Sequence, residues 1–188
     1  MTTAPFDRHD RPAVLVAEAC REYGTEVIAR WCADLLTGRA AYDDPGLPPL
    51  VWLAGRAAAA ELRRGDLVER GVDYWPRVWA ARGLRYAWVP DAAPAVVHAL
   101  ADPAWRVREM AAKVVRQREL GEAADLLAAL ATDPLPRVRA AALRAAGTVG
   151  EAEHADALRV AVRDPDPAVR RAAEAALDEL RRRLDRDL

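Results

Sequence analysis

The stretch DPLPRVRAAALRAAG, residues 133–147, decides how this chain folds. DPAWRVREMAAKVVR at 102–116 and DPDPAVRRAAEAALD at 164–178 follow the same plan. In each, Val-Arg stands five and six positions after the Asp, as Val107-Arg108, Val138-Arg139 and Val169-Arg170. The punctuation continues upstream at Asp73 and Asp44-Pro45, with spacings from Asp44 onward of 29, 29, 31 and 31 residues. A fixed period of this size means one supersecondary unit copied along the chain, hence a solenoid and not a globule around one central site.

Within a unit the signals are helical. Asp133 reads as an N-cap and Pro134 as the first helical residue, or Pro136 starts the helix if the boundary lies two residues later. Val138, Ala141, Ala142 and Ala145 then recur at helical spacing until Gly147 and Gly150 end the run. A second helix is expected over residues 152–162, with Ala155, Leu158 and Val162 on one face. The preceding unit matches it with Val107, Met110, Ala111 and Val114, a turn at Gly121, and Leu126, Leu127 and Leu130. The last unit carries Val169, Ala172, Ala173, Ala176, Leu177 and Leu180 before the polar run Arg181-Arg182-Arg183, the kind of polar cap that helical arrays need. Upstream the repeat degrades. Asp73 keeps the spacing with Arg77-Val78-Trp79, residues 50–62 supply a helix slightly late, and residues 12–37 read as two helices parted at Gly24-Thr25, with Thr25 as N-cap. The expectation is one all-α domain over 1–188, regular over 102–184 and degenerate over 1–101, with about five helix pairs plus a C-terminal capping helix.

Composition agrees with a folded helical chain: 52% of residues are hydrophobic and 30% charged, much of the apolar share being Ala. Net charge is −1, which lacks the positive field of sequence-independent nucleic-acid binders. Cys20 and Cys32 sit in apolar helical stretches and read as buried free thiols in a reducing compartment. No apolar run approaches a membrane span and the N-terminus has no hydrophobic targeting region, so a cytoplasmic monomer with no membrane role is expected.

The pattern Asp-Pro-x-x-x-Val-Arg with Ala-rich helices at about 31 residues resembles HEAT-like repeats, in particular the short variety named after the phycobilisome lyases. The resemblance is specific over 102–180, weaker over 44–101, and reaches 1–43 only by continuation. It implies a right-handed α-α superhelix of stacked antiparallel helix pairs. Such repeats serve scaffolds, regulators, lyases and nucleic-acid proteins alike, so no chemistry follows from it alone.

Two groups of residues stand out. Arg108, Arg139 and Arg170 recur in register with Asp102, Asp133 and Asp164. Six residues of helix rise about 9 Å, so pairing between neighbouring units is at least as natural as pairing within one. A structural staple is the expected role and a basic ladder for an anionic partner the alternative. The aromatics instead break the repeat: Trp75, Trp79 and Trp88 crowd one degenerate unit, and Trp105 stands where other units have Pro. With Arg77 and Arg106 they are the candidate partner-binding residues, since Trp and Arg anchor interfaces; the competing reading is that the rings fill a gap in the core. For metal, cofactor or acid–base chemistry the chain is poor. His9, His98 and His154 are isolated, His98 reads as a packed residue of an apolar helix, and there is no Ser at all. Iron-binding hydroxylases built on similar repeats rely on His-Glu pairs, which are absent here. No catalytic residue, metal or cofactor is therefore assigned.

The leading expectation is a non-enzymatic scaffold or adaptor that binds another protein along a concave face. The alternative is a DNA-binding or DNA-repair role similar to the HEAT-like alkylpurine DNA glycosylases, with the Trp residues beside Asp73 or Asp102 and residues 106–118 as a basic cradle. A lyase-like or chaperone-like module holding a chromophore is a third reading.

Overall fold

The computed structural model describes residues 11–185, and among them it is all-α, with ten helices, three short 3₁₀ turns and no strand. The chain divides into two compact units, Met1–Val96 and Val97–Leu188.

The first unit holds α1 (Pro12–Tyr23), α2 (Thr25–Thr37), α3 (Val51–Arg63) and α4 (Tyr74–Gly83). α1 packs on α2 and α3, and α2 on α4, so one antiparallel pair stacks on the next. Leu15, Ile28, Trp31, Leu35, Leu53 and Trp79 are buried between them. Gly24 separates α1 from α2 at φ 95°, so it is Gly24 that occupies the N-cap of α2, and Thr25 is its first helical residue. α3 is broken at Gly55 (φ 52°, ψ −130°), which leaves the Leu53 carbonyl free to accept from Arg82 Nη2 at 3.0 Å. A side chain at Gly83 would meet Cys32 Sγ at 2.8 Å, so the small residue is what lets α4 approach α2.

α5 (Ala93–Ala99) contains the boundary, and the second unit continues with α6 (Trp105–Arg118), α7 (Ala124–Leu130), α8 (Pro136–Val149), α9 (Ala155–Ala161) and α10 (Pro167–Leu184). α8 lies between α6 and α10, α7 packs on α8, and α9 on α10. The turns at Asp133-Pro134 and Asp164-Pro165 thus sit inside the pairs α7/α8 and α9/α10, and α10 is the second member of its pair. α8 buries Val138, Ala141, Ala142, Leu143 and Ala145, while α10 buries Val169, Ala172, Ala173, Ala176 and Leu177. Gly147 does not end α8, which runs to Val149. A Cβ there would stand 2.7 Å from the Cα of Ala176, so this glycine sets the closest approach of α8 to α10. The expected second helix of the 133–162 unit is a 3₁₀ turn, Ala152–His154, followed by α9.

The helix starts correct one expectation. Asp102, Asp133 and Asp164 are not N-caps of α6, α8 and α10; the helices begin at Trp105, Pro136 and Pro167, two residues later. Each Asp instead closes a turn on its own Asp-Pro step. Its Oδ1 accepts the N–H two residues on, from Ala104 at 2.7 Å, Leu135 at 2.8 Å and Asp166 at 2.8 Å. In α10 the cap is Asp166, which accepts from Ala168 and Val169.

Candidate functional site

The repeat charges form a ladder through the second unit. Arg108 Nε donates to Asp133 Oδ2 at 2.8 Å. One repeat on, Arg139 donates from Nε to Asp164 Oδ2 at 2.7 Å and from Nη2 to Asp164 Oδ1 at 2.8 Å, a two-pronged arrangement. Each guanidinium is also tied to its own turn: Arg108 Nη1 donates to the carbonyls of Asp102 and Pro103, and Arg139 Nη1 to those of Asp133 and Pro134. These charges are turned inward. Side-chain exposure is 14% and 3% for Arg108 and Asp133, and 12% and 10% for Arg139 and Asp164. The hydrogen bond from Arg139, helped by the Asp166 N–H and opposed by desolvation, holds the Asp164 carboxyl below the usual carboxylate range. The same bond raises Arg139 further. In this unit Arg108 and Arg139 face carboxylates of the chain itself and are not presented to an anionic partner.

The aromatic candidates separate. Trp79 is 3% exposed and belongs to the core of the first unit, so its expected role as an interface anchor is corrected. Trp75 stacks on it, centroids 5.8 Å apart and planes 17° apart, with Tyr74 tilted against Trp75 at 5.2 Å. Trp75, Trp88 and Trp105 keep part of their surface accessible. Arg77 lies beside Asp73, its Nη1 3.5 Å from Asp73 Oδ2. Arg106 stands over the ring of its neighbour Trp105 at 4.3 Å, a cation–π contact.

The histidines also differ from expectation. His98 is exposed, not packed. His154 is buried, and its Nδ1 accepts the Glu151 N–H at 2.9 Å while Nε2 lies 3.1 Å from Asp125 Oδ1. A backbone N–H can only donate, so Nδ1 is the bare nitrogen and Nε2 carries the proton given to Asp125. The pair ties the start of α9 to the start of α7, and its members lie 29 residues apart in the chain.

An open trough of about 760 Å³ lies between α7 and α9, beside the turn at Asp164-Pro165. Its walls are Ala128, Ala131, Ala157 and Ala161, with Val160 on the lip at 71% exposure. Of the charged groups that line it, Arg139 and Asp164 are bound to one another and Asp156 pairs with Arg159, while Arg163 makes no ion pair with a described residue. Sequence reasoning missed this trough. The available signal was Val160, an apolar residue off the Ala155–Leu158–Val162 stripe; Leu126, expected on a packed face, is likewise 40% exposed.

A family model described as HEAT repeats matches residues 64–139 and 123–187. Among curated proteins, none matches the sequence. Among solved structures, human deoxyhypusine hydroxylase in complex with glycerol is similar at 20% identity and a TM-score of 0.53, over 90% of this chain and 72% of that one. This neighbour overturns the expectation of a non-enzymatic scaffold: an enzyme is built on a matching array of helices, so the fold supplies no ground for excluding catalysis. Among the described residues no three His, Cys, Asp or Glu side chains converge to hold a metal ion. No described helix is long and apolar enough to cross a membrane.

Proposed function

This chain belongs to the HEAT-repeat family, and on that premise we propose that it recognises a protein partner, taking an apolar segment of it into the trough between α7 and α9. One observation carries the reading: the trough has alanine walls and a 71% exposed valine on its lip, in a unit whose other apolar side chains are mostly buried. Exposed apolar surface lining a depression marks a binding site. Neutralisation within the trough supports a polypeptide over a small charged ligand, because Arg139 is bound by Asp164 and Asp156 by Arg159. Arg163 at the edge complements a carboxylate on the incoming segment. An open trough between two short helices suits the side chains of a helix or strand laid along it.

The test places a photo-reactive residue at Val160 and, as control, at Val68, which is 64% exposed in the other unit. The Val160 probe is expected to cross-link a protein that the Val68 probe does not. Substitution Ala157→Glu in the trough wall should abolish that product with helicity unchanged. Identical products from both probes, or products indifferent to Ala157→Glu, would refute the reading.

A further inference from the structure

The Asp–Arg ladder has a third rung, and only half of it is made. Arg170 repeats the anchoring of Arg108 and Arg139: its Nη1 donates to the Asp164 carbonyl at 2.8 Å and the Pro165 carbonyl at 3.1 Å. In the other two rungs the remaining edge of the guanidinium then takes an aspartate 25 residues further on. At Arg170 that edge makes no hydrogen bond or ion pair with any described residue. Asp166, one turn back, caps α10 through Oδ1 with the N–H groups of Ala168 and Val169 and forms no ion pair with Arg170. Asp185, beyond the far end of α10, is about 20 Å away along the helix.

We propose that Arg170 is a preformed carboxylate socket for the aspartate of an Asp-Pro turn that residues 11–185 of the same chain do not themselves supply. The fold itself shows the ligand, since two sockets of the same construction are filled in this way, at 2.7–2.8 Å from Nε. In both, the bound aspartate also closes its own turn, through the N–H of Leu135 or Asp166. An aspartate so arranged has its second oxygen turned outward, ready for an arginine. On the arginine side, the two carbonyl contacts fix the guanidinium plane before any ligand arrives. Binding therefore freezes little side-chain motion, and the planar fork matches a carboxylate better than any other common anion of a protein surface.

Two sources supply this chemistry. One is a second copy of the chain, whose Asp44-Pro45-Gly46 step is exposed and already closed, with Gly46 N–H on Asp44 Oδ1 at 2.8 Å. Asp44 makes no ion pair with a described residue. The other is a different protein with such a turn.

The probe is a capped peptide with the sequence of residues 131–137, which carries a single Asp-Pro step, titrated into the whole chain. Arginine Nε–Hε signals are followed by ¹⁵N NMR. The Arg170 signal is expected to shift saturably with a millimolar midpoint, as suits one charge-assisted contact. A peptide with Asn in place of Asp should leave it still, and Arg170→Gln should remove the response with helicity retained. No shift at about 10 mM peptide, or an equal shift with the Asn peptide, overturns the proposal. Sedimentation velocity across concentration then separates the sources. Association lost in both Asp44→Asn and Arg170→Gln assigns the socket to a second copy; a monomer whose Arg170 signal still responds assigns it to another protein. Ala157→Glu leaves the Arg170 response intact, so failure of the trough reading is distinguishable from failure here.

Discussion

Replacing Arg139 by Gln tests the ladder as the element that joins successive repeats. The substitution removes both prongs on Asp164, at 2.7 and 2.8 Å, and leaves a carboxylate that is 10% exposed with a single remaining N–H donor from Asp166. Stranding one member of a largely buried ion pair costs about 3 kcal/mol, the lower end of the range for such pairs, because the Asp166 N–H stays in place. For a chain of this size that corresponds to a fall in Tm of about 6–12 °C at pH 7, read by circular dichroism. The pH dependence separates charge from packing. The Asp164 carboxyl titrates lower in the folded chain than in the unfolded one, where it lies near the ordinary value of about 3.9. Its contribution is therefore complete above the unfolded value and is lost as the pH falls through the folded value. The gap between wild type and Arg139→Gln should accordingly close on acidification below about pH 4, as both come to hold a neutral Asp164. A Tm change under about 2 °C at pH 7, or a gap of equal size at low pH, would refute the argument that the bond is electrostatic and structural.

Two further outcomes follow from packing and burial. Gly147→Ala places a Cβ 2.7 Å from the backbone Cα of Ala176, which has no rotamer to give, so α8 and α10 must separate at a cost of about 2 kcal/mol or more, measured by urea unfolding; a stabilised Gly147→Ala would show that the two helices are not held at that distance. Burial pushes the Cys32 thiol far up while Cys20 is partly exposed and raised less, so a thiol reagent near pH 7.5 should label Cys20 ahead of Cys32, with both labelled equally fast only after denaturation; rapid native labelling of Cys32 would contradict its burial.

The solenoid was legible because its code is local. Helical period, the proline that begins a helix and the glycine that breaks one all act within a few residues, and the break at Gly24 falls where that code places it, whereas α6 ends on Glu119 in the left-handed region, two residues before Gly121. The helix start at Pro136 is the later of the two boundaries the sequence left open, and the choice was not legible because Asp accepts an N–H two positions on in a turn as readily as in a cap. Gly147 was misread for a different reason. A helix-breaking glycine and a glycine that admits a neighbouring helix look alike until the neighbour, Ala176, is known.

The repeat, its period and most of its helices could be read from the chain before any fold was known. Tertiary structure alone decided which Asp meets which Arg, since those partners are 25 residues apart and brought together by stacking. It decided that Trp79 is core while Trp75 keeps accessible surface, although the two stack and stand four residues apart on one helix. It also decided that α7 and α9 leave a trough lined by alanine. The physical reason is the same in each case. Caps, turns and periodicity depend on neighbours in the chain, whereas burial, charge pairing and cavities depend on neighbours in space.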